Sequence, residues 1–155
     1  MTTLDTLTPA LEALNDIEAH AAEQGLPFHG QVAPALAWEL FEAGDALLVD
    51  VRSAEERKFV GQVADSLHVP WATGTALTRN PRFVRELEAK TGKESLVLLL
   101  CRSGKRSALA AEAAAKAGFQ HVYNVLEGFE GEIDAQQHRG GGDGWRFRGL
   151  PWVQD

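Results

Sequence analysis

Leu96-Val-Leu-Leu-Leu100-Cys101-Arg102-Ser103-Gly104-Lys105-Arg106-Ser107 is the stretch on which the fold turns. Leu96–Leu100 is an unbroken apolar run without alternation, which marks a strand covered on both faces. Ser107 to Ala117 is alanine-rich, ends at Gly118, and carries Glu112 and Lys116 at helical spacing, so it reads as a helix. A buried strand that hands over to a helix through a few residues predicts half of a parallel strand–helix–strand unit.

Working outward, strand and helix signals alternate. Pro34 opens a helix with Leu36, Leu40 and Phe41, closed by Gly44. Ala46-Leu-Leu-Val-Asp-Val51 is a second buried strand, Leu67-His-Val69 a shorter one stopped by Pro70, and His121-Val-Tyr-Asn-Val125 the last. Gln31 and Val32 suit a short edge strand. Asn80-Pro81 suits the cap and first turn of a helix through Lys90, with Gly92 beyond. The alternation predicts an α/β fold: a largely parallel central sheet flanked by helices on both faces. Such sheets bind ligands at the carboxyl ends of their strands.

An extra N-terminal helix is expected within the first 25 residues, from Leu7, Leu11, Leu14 and Ile17 with Pro9 early and Gly25 at the end. Residues 1–27 are therefore read as a helical extension and 28–155 as the main domain. Near the other end, Gly140-Gly-Gly-Asp-Gly144 reads as flexible, while Trp145, Phe147, Leu150, Pro151 and Trp152 are expected to dock back.

The whole chain, 155 residues with 45% hydrophobic and 24% charged, suits one compact domain and not a disordered chain. Its formal charge of −7 argues against general affinity for nucleic acid or anionic membrane. The longest uncharged apolar run, Leu96 to Cys101, is too short to span a bilayer, and Met1–Thr6 shows no secretory pattern, so a cytoplasmic protein is expected. A single cysteine excludes an internal disulfide and multi-cysteine zinc, and His20, His29, His68, His121 and His138 lack metal-ligand spacing.

The chemistry concentrates at Cys101. Gly104 permits a sharp turn, loops of this shape aim N–H groups inward, and a helix N-terminus adds partial positive charge. Arg102, Lys105 and Arg106 bring further cations, and Ser103 and Ser107 hydroxyls; Ser107 could also cap the helix. These features favour a thiolate over a thiol and predict a nucleophilic Cys101 in a cradle selective for anions. The other reading of a lone cysteine is a small buried residue that ends a strand.

Several segments together resemble the rhodanese-like sulfurtransferases, from about Pro34 to Trp152. Leu48-Val-Asp-Val-Arg52 is similar to that family's early strand ending in Asp-x-Arg, and Gly61–Pro70 to its Gly-His-Ile-x-Gly segment. Cys101–Ser107 is similar to its active-site loop, Gly118–Gly128 to its last strand and turn, and Gly149-Leu-Pro-Trp152 to its ending. The resemblance implies a single-domain enzyme of the thiosulfate sulfurtransferase class. Cys101 would take a sulfane sulfur from a small anionic donor, hold it as a persulfide, and pass it to cyanide, a thiol or an acceptor protein. No cofactor beyond the covalent persulfide, and no nucleic acid or membrane partner, is implied. Arg102, Ser103, Gly104, Lys105, Arg106 and Ser107 would bind substrate, with Asp50 and Arg52 in support.

The chain departs from that pattern at Gln62, where His is frequent, at Asp65, where Gly is frequent, and at Trp71, where small residues are common. Asp65 tolerates a left-handed turn, and Trp71 is expected to pack. Asp50 and Arg52 are expected to form a structural pair, His68 to be satisfied by backbone, and Glu55-Glu56-Arg57-Lys58 to be a solvated turn of helix. Two other functions compete. A cysteine phosphatase or arsenate reductase needs five residues between Cys and Arg, whereas four lie between Cys101 and Arg106. A non-enzymatic sulfur-carrier or redox-sensing module would use the same cysteine, with no second one to resolve it.

Overall fold

The computed structural model describes residues 8–74 and 76–154. Leu7, Met1–Thr6 and the terminal residue 155 lie outside the described residues. The elements in order are α1 (Pro9–Glu23), β1 (Gly30–Val32), α2 (Pro34–Glu42), β2 (Leu47–Asp50), α3 (Ala54–Val60) and β3 (Leu67–His68). They continue with β4 (Ala72–Thr73), β5 (Thr78–Arg79), α4 (Phe83–Thr91), β6 (Leu96–Leu100), α5 (Lys105–Lys116) and β7 (His121–Val125).

Five strands form one parallel sheet in the order β1-β7-β6-β2-β3, and β4 and β5 form a separate antiparallel ribbon. Alternating side chains of β6 divide between two cores, which is why its sequence shows no polar face. Val97 and Leu99 pack with Phe83, Leu87, Ala110, Ala111 and Ala114 beneath α4 and α5. Leu98 and Leu100 pack with Leu14, Ala37, Leu40, Phe129 and Trp145 on the face of α1 and α2. Helices therefore cover both faces of the sheet, and the strand ends Asp50 and Leu100 lie side by side in register.

Several boundaries differ from the sequence reading. Helix α1 starts at Pro9 because the Thr8 side chain caps the Leu11 N–H. Its Leu14 is buried, and Tyr123 Oη donates to Glu18 Oε2, so the helix is pinned to the sheet. Burial and Glu18 both raise the Tyr123 pKa, which keeps that hydroxyl a donor. Helix α4 begins at Phe83, because Asn80 Oδ1 accepts the Arg82 N–H in a separate turn ahead of it. Helix α5 begins at Lys105, two residues before Ser107, because Gly104 holds the N-cap position at φ +99 with no side-chain cap.

The glycine-rich stretch is not a loose linker. A Cβ on Gly131 would collide with Asp143 and one on Gly144 with Glu130, so two backbone strands pass in close contact there. Of the aromatic tail, Trp145 is fully buried and its Nε1 donates to Pro151 O. Phe147 and Trp152, by contrast, stay 46% and 38% exposed, so the docking is partial. Asp65 takes φ +66, the left-handed turn in which an aspartate can replace glycine. Trp71 is buried edge-on against Phe83, with the Arg79 guanidinium 4.0 Å over its ring.

Candidate active site

Cys101 follows directly on β6, so the strand fixes its Cα and the loop to α5 must fold back over its sulfur. Two donors reach Sγ: the Gly104 N–H at 3.1 Å and the Ser107 hydroxyl at 3.2 Å. The first needs glycine for its backbone angle and not for space, since a Cβ at Gly104 would meet only ordinary contacts. The second comes from the first turn of α5, where a fully buried Ser107 points back at the strand end. Ser107 does not cap the helix; its hydroxyl serves the sulfur and Asn124. Cys101 itself is 1% exposed, so the sulfur lies at the floor of the loop.

The loop is held from below by the segment after β7. Phe129 N–H donates to Cys101 O at 2.7 Å, and the Glu130 and Gly131 N–H groups both donate to Arg102 O. With these carbonyls engaged, the peptide planes of the loop are fixed. Gly128 permits the approach: it sits at φ +68, and a Cβ there would come within 2.5 Å of Ser103 N. This support was not evident from Cys101–Ser107 alone, because it comes from residues more than twenty positions downstream.

The three loop cations diverge. Arg106 forms a two-pronged pair with Glu56, Nη1 to Oε1 and Nη2 to Oε2, both 2.8 Å. Burial would push the Glu56 carboxyl up, but the Arg106 hydrogen bonds and charge, with those from Ser53, bring it down to about 2. Arg106 is raised in turn, first by those hydrogen bonds and also by the nearby Cys101. Lys105 points outward, its side chain 80% exposed and 3.9 Å from Glu132. Arg102 is half-buried and its Nε has no partner among the described residues. Ser103, Gly104 and Lys105 line one wall of a groove of about 350 Å³ whose other wall includes Gln31, Asn124, Leu126 and Glu127.

The Glu55–Lys58 run is thus not merely a solvated turn. Glu56 closes a capping box with Ser53 while clasping Arg106, and Arg57 Nη1 reaches Asp50 Oδ2 at 3.1 Å. The capping box was visible as Ser-x-x-Glu, but the pairing with Arg106 spans fifty residues and has no local signal.

Asp50 and Arg52 are fully buried and bonded to each other, Arg52 Nη2 to Asp50 Oδ2 at 2.7 Å. Arg52 Nη2 also donates to Gly61 O, and its guanidinium lies 4.3 Å over the Phe129 ring. The pair therefore braces the neighbouring loops and makes no hydrogen bond to the sulfur. His68 Nε2 lies 2.7 Å from Arg52 O, a backbone partner as expected, and burial is the main cause of its lowered pKa. No group of three metal-ligating side chains occurs among the described residues, and no helix there is long and apolar enough to cross a membrane.

Comparison with known proteins fits this geometry. The family model for the rhodanese-like domain matches residues 33–133. The crystal structure of Rv0390 from M. tuberculosis superposes with a TM-score of 0.72 at 45% identity, covering 81% of this chain and 97% of that one. An uncharacterised Rickettsia prowazekii protein, RP600, is 34% identical over 70% of this chain and 83% of its own length. The thiosulfate sulfurtransferase GlpE of Coxiella burnetii is 30% identical over 64% of this chain and 83% of its own. The chain belongs to the rhodanese-like family.

Proposed function

We propose that this protein is a sulfurtransferase in which Cys101 carries a sulfane sulfur from a small anionic donor, thiosulfate or a similar species, to cyanide, a thiol or an acceptor protein. The observation that carries the reading is the pair of donors on Sγ, the Gly104 N–H and the Ser107 hydroxyl, at the end of a buried strand in a rhodanese-like fold. Hydrogen bonds of this kind stabilise a thiolate and, after transfer, the negative charge on a persulfide.

In the first half-reaction the Cys101 thiolate attacks the outer sulfur of thiosulfate. A carbon-bound sulfur gains a sulfur–sulfur bond, the donor's own sulfur–sulfur bond breaks, and sulfite leaves with the electron pair. In the second, an acceptor nucleophile attacks the outer persulfide sulfur and Cys101 leaves as thiolate. The site needs no cofactor and no general base for either step. With the sulfur at the floor of the loop, the donor must present its transferable atom end-on. Arg106, paired with Glu56 yet within electrostatic reach of Cys101, is the charge placed to attract it. Lone cysteines of this kind persist where thiols are kept reduced, which goes with a cytoplasmic setting.

Initial rates measured with varied thiosulfate and cyanide test the reading. Parallel double-reciprocal lines, the mark of a covalent shuttle, are expected. Intersecting lines, or aryl-phosphate hydrolysis faster than sulfur transfer, would overturn it.

A further inference from the structure

The Ser107 hydroxyl has one proton and two acceptors. Sγ of Cys101 lies 3.2 Å from its oxygen and Oδ1 of Asn124 lies 2.5 Å away. Asn124, itself buried on β7, donates from Nδ2 to Gln31 Oε1 at 3.1 Å, and Gln31 stands exposed on the edge strand β1. Four side chains therefore form a row from the sulfur to the groove. The one Ser107 proton can serve either acceptor, and when it rests on the nearer one, Asn124 Oδ1, every proton of the row points outward: Ser107 to Asn124, and Asn124 to Gln31. That direction leaves the sulfur without the serine proton, and it is the direction a protonated thiol would join, donating its own hydrogen to Ser107 Oγ.

A carboxamide turned by 180° exchanges its donor and its acceptor in nearly the same space. If Asn124 and Gln31 both turn, Gln31 donates to Asn124 Oδ1, Asn124 Nδ2 donates to Ser107 Oγ, and Ser107 gives its only proton to Sγ. Every proton again has one acceptor, and the row now feeds a thiolate. We propose that Gln31 and Asn124 are positioning residues whose amide orientation decides whether the Ser107 proton rests on the Cys101 sulfur. This rests on the sulfur-transfer reading of Cys101, but the measurement below uses no sulfur donor.

The charged groups about the row are Arg106 with Glu56 and Asp50 on the side of the sulfur, and Lys105, Glu127, Glu132 and Asp143 around the groove. None of them forms a hydrogen bond with the four residues among the described contacts. The row can therefore be biased from its exposed end without touching the loop.

The test is a thiolate absorbance titration of the full chain, with Cys101→Ser as blank, for Gln31→Glu, Gln31→Lys and Gln31→Met at low and high salt. A glutamate there only accepts, so it fixes the outward direction and withholds the serine proton; a lysine only donates and fixes the inward one. The Glu variant is expected to ionise at higher pH than the Met variant and the Lys variant at lower pH. The total separation is about one pH unit, the size of one hydrogen bond to a charged group. Because a bonded row is not screened as an exposed charge is, the separation persists at high salt, and it closes there when Ser107→Ala is added. Equal midpoints, a separation abolished by salt, or one that survives Ser107→Ala at high salt would each overturn the proposal. Sulfur transfer by the wild type is measured separately, so the two readings fail independently.

Discussion

Glu56→Gln separates the stability of the site from its charge. The Glu56–Arg106 pair joins α3 to α5, with the two side chains 18% and 16% exposed. Glutamine keeps one oxygen for Arg106 or for the Ser53 capping box, and loses the second oxygen and the negative charge. A hydrogen bond to a charged group contributes about 1.5–3 kcal/mol, and this pair is partly wetted, so a loss of about 1–2 kcal/mol is expected. In a domain of this size that lowers Tm by about 3–6 °C. The chemistry should move the other way. Arg106, no longer neutralised, leaves an extra positive charge near Sγ, and kcat/KM for thiosulfate should rise severalfold at low salt, with the gain shrinking as salt is added. The assay is thiocyanate formation alongside thermal unfolding of the same preparation. A less stable variant whose thiosulfate kcat/KM is unchanged or lower at low salt would refute the electrostatic reasoning.

Acid should loosen the same clasp. Glu56 titrates near 2 when folded, below its ordinary 4.5, so its stabilising contribution is complete above the unfolded value and disappears as pH falls through the folded one. Urea unfolding between about pH 5 and about pH 2 should show a steeper loss for wild type than for Glu56→Gln; equal slopes would contradict the assignment. Ser107→Ala removes a direct donor to Sγ and should slow sulfur transfer about 10–100-fold, read in pre-steady-state formation of the persulfide. Gly128→Ala forces a Cβ towards Ser103 N at a positive φ and should cost about 2 kcal/mol or more in urea unfolding, with loss of transfer activity; near-neutral behaviour would mean the loop does not depend on that approach.

What could be read from sequence was what local physics controls. Leu96–Leu100 and Ala46–Val51 could only be strands covered on both faces, and the cysteine between an apolar run and an alanine-rich helix could only sit where a parallel sheet keeps its sites. The direction of each loop cation was not legible, because it depends on partners far along the chain. Arg106 turns to Glu56, and Lys105 turns to Glu132. The charge run at Glu55–Lys58 looked solvated because its period is helical, and only the fold brings Glu56 beside α5. Gly140–Gly144 read as flexible because glycine is the residue of loose linkers. It is equally the residue of close backbone approach, and the contacts of Gly131 and Gly144 decide for the second. Helix α5 begins two residues early for a similar reason: Gly104 can cap by backbone geometry alone, which no capping side chain announces.

Intact-mass spectrometry of the purified chain, before and after thiosulfate and then after cyanide, bears most directly on the role of Cys101. A mass gain of one sulfur atom that cyanide reverses, and that Cys101→Ser abolishes, is the predicted result. An unchanged mass with thiosulfate and with other sulfane donors, while the thiol remains titratable, would contradict it.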